Sequence, residues 1–391
     1  MKKLSDRATR LPVSAALRVD LKTKELAAQG RDIISFCVGE PDGTSPREAT
    51  ESGISAIREN DTRYTNAPGT TELRQAVALR MTRHTGMEYE WRDIAVTTGG
   101  KYAVYAAVCA LCDPGEEAVL PAPYWTSYYH ILRLAGVTPR VVRTKLENGW
   151  EMTPEELEES ITPQTKLVIL NNPNNPSGAV YTKKELIALA RVIRSHDLYV
   201  IADEIYDAYV YADEPFCPLA SLDDDMRLRT VTVNGVSKAY AMTGWRIGWA
   251  ACDRAIAGRI GAILSHTTGC PSAVSQRAAL AALEKEPEGL SDLYRARRDA
   301  LEEELRHVEG LAFTHADGAF YLMPVLTGEL AKRFSSAEAF AMELLESAGV
   351  AVVPCEDYGV EMAFRMSYTM DIDQIREGAR RLARFAAEKC L

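Results

Sequence analysis

The sequence predicts an α/β fold: a large domain with a mostly parallel central sheet flanked by helices, followed by a smaller α+β domain. Three observations predict it. Apolar strand-like runs alternate with amphipathic helical segments over most of the chain, polar residues gather directly after those runs, and the pattern changes near Leu290. Alternation of this kind builds parallel sheets with helices on their faces. At 391 residues the chain exceeds what one core usually organises, so about two domains are expected. The expected division is an N-terminal arm with part of the small domain over 1–46, a large domain over 47–290 and a small C-terminal domain over 291–391.

Ile94–Thr97, Glu117–Leu120, Lys166–Leu170, Leu198–Ala202 and Thr230–Val233 read as strands, being short, apolar and rich in β-branched residues. Lys183 to His196 reads as a helix between two of them. Thr153-Pro154-Glu155-Glu156 opens another, with an N-cap, a proline in the first turn and acidic residues beside the helix's positive end. From Leu290 a charged helix over Ser291 to Val308 leads to short strands around Phe320-Tyr321-Leu322 and Arg365-Met366-Ser367-Tyr368. The arm before Pro46 is expected to pack with this second unit.

Composition excludes several classes. Hydrophobic residues make up 47% and charged residues 26%, values of an ordinary globular protein. The formal charge of −10 argues against nucleic acid or an anionic membrane as a partner, while leaving room for a local basic pocket. No window approaches a spanning helix, and the polar start Met1-Lys2-Lys3 lacks a signal peptide's apolar core, so a cytoplasmic location is expected. The eight cysteines are dispersed, which fits a reducing compartment. Cys109 and Cys112 form a C-x-x-C inside an apolar helical run, where core packing is the expected role. The histidines lack ligand spacing, so no protein-bound metal is expected.

The polar segments at the strand ends carry the chemistry. Thr98-Gly99-Gly100-Lys101 precedes a helix whose free N–H groups suit a phosphate. Pro123-Tyr124-Trp125, the amide-rich Asn171 to Gly178, and Asp203-Glu204-Ile205-Tyr206 come after the next three strands. A carboxylate leaving an apolar strand is costly without a cation or donor. Ser237-Lys238 comes after the fifth strand, with Arg246 eight residues on. A guanidinium beside an amine disfavours its protonation and helps make it a nucleophile.

Together with Gly39-Glu40-Pro41-Asp42, Tyr64-Thr65 and Arg365, these motifs occur in an order that resembles one family over essentially the whole length. The chain is similar to the fold-type I, pyridoxal-phosphate-dependent aminotransferases of class I, and within them to bacterial subgroup Ib aspartate aminotransferases. The resemblance implies that residues 47–290 are the cofactor-binding domain. Lys238 would hold pyridoxal 5′-phosphate as a Schiff base and move the substrate's Cα proton. Asp203 would keep the ring nitrogen protonated, Tyr206 and Asn175 would bind the 3′ oxygen, and Trp125 would stack on the ring. Arg246, Ser237 and the backbone of Gly100 and Lys101 would hold the phosphate. Tyr64 would reach the phosphate of a neighbouring subunit, implying a homodimer with shared sites.

For the substrate, the resemblance implies that Arg365 binds the α-carboxylate, aided by the backbone of Gly39, and that Lys101 binds a distal carboxylate beside Trp125. The expected reaction converts L-aspartate and 2-oxoglutarate to oxaloacetate and L-glutamate by a ping-pong course. Transfer from an aromatic or neutral amino acid, or β-elimination by the same lysine, stays open. Departures from the pattern fall at Leu11-Pro12, where prephenate-accepting members have a basic residue, at Gly43, at Cys355 and at Gly235, where the Ia branch has a phosphate-binding serine. The segment Thr267 to Ser272, with Cys270, is expected to line the site from the neighbouring subunit.

Overall fold

In a computed structural model, which describes residues 3–9, 11 and 15–390, seven strands form the central sheet. They are β1 (Ile94–Thr97), β2 (Glu117–Ala122), β3 (Thr138–Arg143), β4 (Thr165–Asn171), β5 (Tyr199–Asp203), β6 (Thr230–Gly235) and β7 (Gly248–Ala251). Their order is β1-β7-β6-β5-β4-β2-β3. The strands β3, β2, β4, β5 and β6 run parallel, and β7 is antiparallel to both of its neighbours.

Five of these were expected from the sequence. The other two, β3 and β7, are additions with physical reasons. β3 is an edge strand with a mostly exposed pattern, Thr-Pro-Arg-Val-Val-Arg, and so lacks an apolar signal. β7 is four residues long and opens on Gly248, whose backbone lies so close to Gly99 and Gly100 that a Cβ would overlap them.

Alternate residues of the central strands feed two cores. Ile169, Ile201, Val231 and Val233 face the helix Gly100–Leu111 through Ala103, Val104 and Val108. Val168, Leu170 and Val200 face Leu186, Leu189 and Ile193 of the helix Lys183–Ser195. Helices therefore cover both faces, which is why these strands read as continuous apolar runs. Full burial of one such leucine or isoleucine contributes ~1.5–3 kcal/mol. The Thr153 N-cap is built as read, closing a reciprocal capping box with Glu156, and Thr182 with Glu185 forms a second box ahead of the Lys183–Ser195 helix that the sequence reading did not single out.

An apolar cluster that includes Phe320, Phe340, Phe364, Leu382 and Phe385 organises the C-terminal part, and Tyr206, Tyr209 and Tyr211 from the loop after β5 join it. Its sheet holds β8 (Tyr321–Leu322), β9 (Val353–Pro354) and β10 (Phe364–Ser367) in the order β8-β10-β9, all antiparallel. The helices Leu290–Leu305 and Ile372–Cys390 pack on each other. The arm joins this cluster by pairing Ile34–Ser35 in parallel with Val350–Ala351. Phe36 is fully buried there against Gly378, where a Cβ would collide with its ring.

Candidate active site

Parallel strands deliver their loops to one edge of the sheet, and the pairing of Asn171 with Asp203 and of Asp203 with Val233 aligns the ends of β4, β5 and β6. A cavity of about 400 Å³ opens there. Every residue for which the sequence reading expects a cofactor or substrate role lines it, except Tyr64, which is 99% exposed on the surface.

The Lys238 Nζ donates a hydrogen bond to the Gly39 carbonyl at 2.6 Å. Its pKa is pushed down to about 8, first by burial and then by Arg365 and Arg246, while Glu40 and Asp203 oppose the shift. Burial thus outweighs the neighbouring guanidinium that the sequence made prominent. Asp203 is buried, accepts from the Tyr128 hydroxyl at 2.6 Å and from the Ile205 N–H at 3.2 Å, and is pushed up to about 6 by burial. A carboxyl held in this way is stabilised as an anion by a cationic partner.

One end of the cavity is made for an anion. The helix Gly100–Leu111 starts after Gly99 with no side-chain cap, leaving first-turn N–H groups without a side-chain acceptor. Gly99 has φ +87°, and a Cβ on it would run into the Arg246 guanidinium. Arg246 is exposed, itself has φ +59°, and donates to the Thr243 carbonyl at 2.8 Å. Ser237 lies nearby on the same cavity wall.

Arg365 is 6% exposed on β10, donating to the Asn175 Oδ1 at 3.1 Å and to the Cys37 carbonyl at 3.1 Å. Its Nε has no partner, and no carboxylate among the described residues pairs with it. A buried, unpaired guanidinium is costly in isolation. Because the Asn175 Oδ1 accepts from Arg365, its amide N–H groups remain available as donors. Lys101 differs: it is exposed, with its ammonium 4.9 Å from the Trp125 ring centroid, and its pKa is lowered by burial of part of the chain and by Arg246.

The residue range 31–382 matches the family model described as aminotransferase class I and II. The chain belongs to that family. It is 39% identical to the aspartate/prephenate aminotransferase of Cereibacter sphaeroides, covering 98% of both chains. It is 36% identical to the aspartate aminotransferase of Geobacillus stearothermophilus, again over 98% of each. Among solved structures, the Thermus thermophilus aspartate aminotransferase with maleate superposes at a TM-score of 0.91, with 36% identity and 98% and 100% coverage of this chain and that one. The Rhizobium meliloti aspartate aminotransferase superposes at 0.93, with 35% identity and 100% and 99% coverage.

An aminotransferase of this family depends on pyridoxal phosphate, and the donor set fits that group. The uncapped helix start with Arg246 and Ser237 suits its phosphate, Asp203 its ring nitrogen, Trp125 its face and Lys238 its aldehyde. The fold is therefore that of fold-type I, as expected.

Sequence reasoning missed Tyr128 and Tyr321, which also line the cavity. Tyr128 sits in the helix Thr126–Ala135, where its ring reads as core. Asp42 belongs to the Gly39-Glu40-Pro41-Asp42 motif, but its partners were not foreseen: it pairs with Arg297 at 2.8 and 2.6 Å and accepts from Tyr294 at 2.9 Å. Cys355 is buried with Trp150 and Tyr358 in a core cluster, and its thiol is pushed up by burial. The Cys270 Sγ accepts from the Thr65 N–H at 3.3 Å, and the buried Gln276 donates to the Thr65 Oγ1 at 2.9 Å, so both hold the loop carrying Tyr64. Pro12 lies outside the described residues. All eight cysteines are free, and no metal-binding cluster occurs among the described residues. No helix among those residues is long and apolar enough to cross a membrane.

Proposed function

We propose that this aminotransferase transfers the amino group of L-aspartate to 2-oxoglutarate, giving oxaloacetate and L-glutamate. The carrying observation is Arg365, a buried guanidinium with a free Nε and no carboxylate partner among the described residues, in the same cavity as the Lys101 ammonium beside Trp125. Two cations around one cavity suit a dicarboxylic amino acid. The solved relative with maleate, a dicarboxylate, supports the same reading.

Pyridoxal phosphate, when bound, supplies an electron sink for the pair left behind when the Cα–H bond breaks. Asp203 keeps a proton on the ring nitrogen, and its own buried position makes that cation its natural partner. Arg365 fixes the α-carboxylate by a bidentate fork that a lysine cannot reproduce, while the Gly39 backbone closes over the same group. Lys238, whose amine pKa burial brings down to about 8, in its neutral form takes the proton from the substrate Cα. Tyr206 and Asn175 donate to the 3′ oxygen, and Trp125 covers the ring face. Lys101 receives the distal carboxylate.

In this reading residues 47–290 carry the cofactor, and 291–391 with the arm 1–46 bring Arg365 and Gly39 to it. The exposure of Tyr64, on a loop held by Cys270 and Gln276, supports a homodimer in which it reaches the neighbouring phosphate. The enzyme acts in the cytoplasm. A panel of amino donors with 2-oxoglutarate tests the proposal: aspartate is expected to give the highest kcat/KM, with oxaloacetate and glutamate formed in equal amounts. A higher kcat/KM for an aromatic or neutral donor would reject aspartate as the substrate. Pyruvate and ammonia without glutamate would indicate elimination.

A further inference from the structure

Tyr321 lies between two parts of the site that act on different molecules. We propose that Tyr321 is a positioning residue that couples the Arg365 guanidinium to the Tyr206 hydroxyl, and so links carboxylate binding to the cofactor's ring oxygen. The inference rests on the proposed roles of Arg365 and Tyr206.

The register of β8 on β10 pairs Tyr321 with Ser367, two residues beyond Arg365. The ring comes to lie under the guanidinium, which sits 4.5 Å from its centroid. This is a cation–π distance, and the contact replaces part of the hydration that a buried arginine loses. At the other end of the same side chain the Tyr321 hydroxyl lies 2.9 Å from that of Tyr206. The two rings meet edge-on at 85°, so the hydroxyls, not stacked faces, join them. An ideal Cβ at Gly39 would lie 3.1 Å from the same hydroxyl, so a larger residue at Gly39 would crowd this contact.

Proton counting gives the direction of the hydrogen bond. Each phenol carries one proton. Tyr206 needs its own for the ring oxygen, so Tyr321 donates to Tyr206. A hydroxyl that accepts one hydrogen bond donates a stronger one. Burial raises both phenols, which keeps both protonated and able to donate. Other charged or titratable groups around this pair are Arg365, Tyr358, Tyr209 and Tyr368 near Tyr321, Asp203, Lys238 and Tyr128 near Tyr206, and Glu40, Lys101 and Arg246 on the cavity wall. None of these accepts a hydrogen bond from the Tyr321 hydroxyl; either hydroxyl of the pair can donate in the cofactor-free protein, and Tyr206 becomes the acceptor once its own proton goes to the ring oxygen.

The test measures the pH midpoint of the bound cofactor's absorbance in Tyr206→Phe, Tyr321→Phe and the double variant. Loss of a donor to the ring oxygen makes the cofactor hold its proton more tightly, so the midpoint rises. Tyr321→Phe keeps the ring under Arg365 and is expected to raise it by roughly half a unit, less than Tyr206→Phe, because a neutral hydrogen bond acting at one remove is worth less than a direct one. The double variant is expected to match Tyr206→Phe, and the KM for aspartate in Tyr321→Phe to stay within about twofold, since the cation–π contact remains. An unmoved midpoint in Tyr321→Phe, or additive shifts in the double variant, would overturn the coupling. An unmoved midpoint in Tyr206→Phe would instead remove the assigned role of Tyr206 on which it rests.

Discussion

Arg365 and Lys101 line one cavity but are built in opposite ways. Arg365 sits in a strand, is 6% exposed, and is fixed by Asn175, the Cys37 carbonyl and the ring of Tyr321. Lys101 stands at the start of a helix, exposed, with the face of Trp125 beside its ammonium and Arg246 near enough to lower its pKa. The first is preorganised: its ordering and desolvation are met in folding, before substrate arrives. The second is a solvated charge on a flexible stem. Under the proposed function, the α-carboxylate common to all amino acids would be read by the rigid group, and the variable side chain by the adaptable one.

This comparison can be broken by substitution. The largest effect lies on neither cation: Lys238→Ala is expected to abolish turnover and borohydride-reducible attachment of the cofactor, and peptide mapping that still finds a reducible link in an active variant would exclude Lys238. Next, Arg365→Leu removes one partner of a buried charged pair, and kcat/KM for every amino acid is expected to fall by the equivalent of ~2–5 kcal/mol. Arg365→Lys should recover little of it, because the charge returns without the fork. A loss confined to aspartate would contradict an α-carboxylate role.

Lys101→Gln is expected to cost ~1.5–3 kcal/mol in kcat/KM for aspartate and much less for alanine; equal losses for the two donors would refute a distal-carboxylate role. The smallest effect concerns protonation. In the cofactor-free protein the Lys238 amine, lowered to about 8 by burial, is the nucleophile only when neutral. Uptake of pyridoxal phosphate should therefore accelerate as pH rises through about 8 and level off above it. A rate still climbing toward the ordinary lysine pKa would show that burial does not lower it.

The two halves of the molecule were unequally legible. β1, β2, β4, β5 and β6 were visible because both faces of each are buried, which leaves unbroken apolar runs in the sequence. The exposed edge strand β3 and the short antiparallel β7 carry no such pattern. At the site, Lys238, Asp203 and Asn175 were legible because each stands at or just beyond a strand's end. Tyr128 and Tyr321 were not, since an aromatic residue within a helix or strand has the signature of core. The pairing of Asp42 with Arg297 spans 255 residues, a contact that only the tertiary fold creates. Asp42 stands in a recognisable motif, but nothing local to it or to Arg297 announces that the two meet.

The most direct test omits the acceptor. The cofactor-loaded enzyme is mixed with L-aspartate alone, and oxaloacetate and ammonia are measured against the concentration of chains. A half-reaction that stores the amino group predicts oxaloacetate in an amount that stops at about one per chain, with no ammonia released, and resumes when 2-oxoglutarate is added. Continuous release of ammonia, or no oxaloacetate at all, would contradict it.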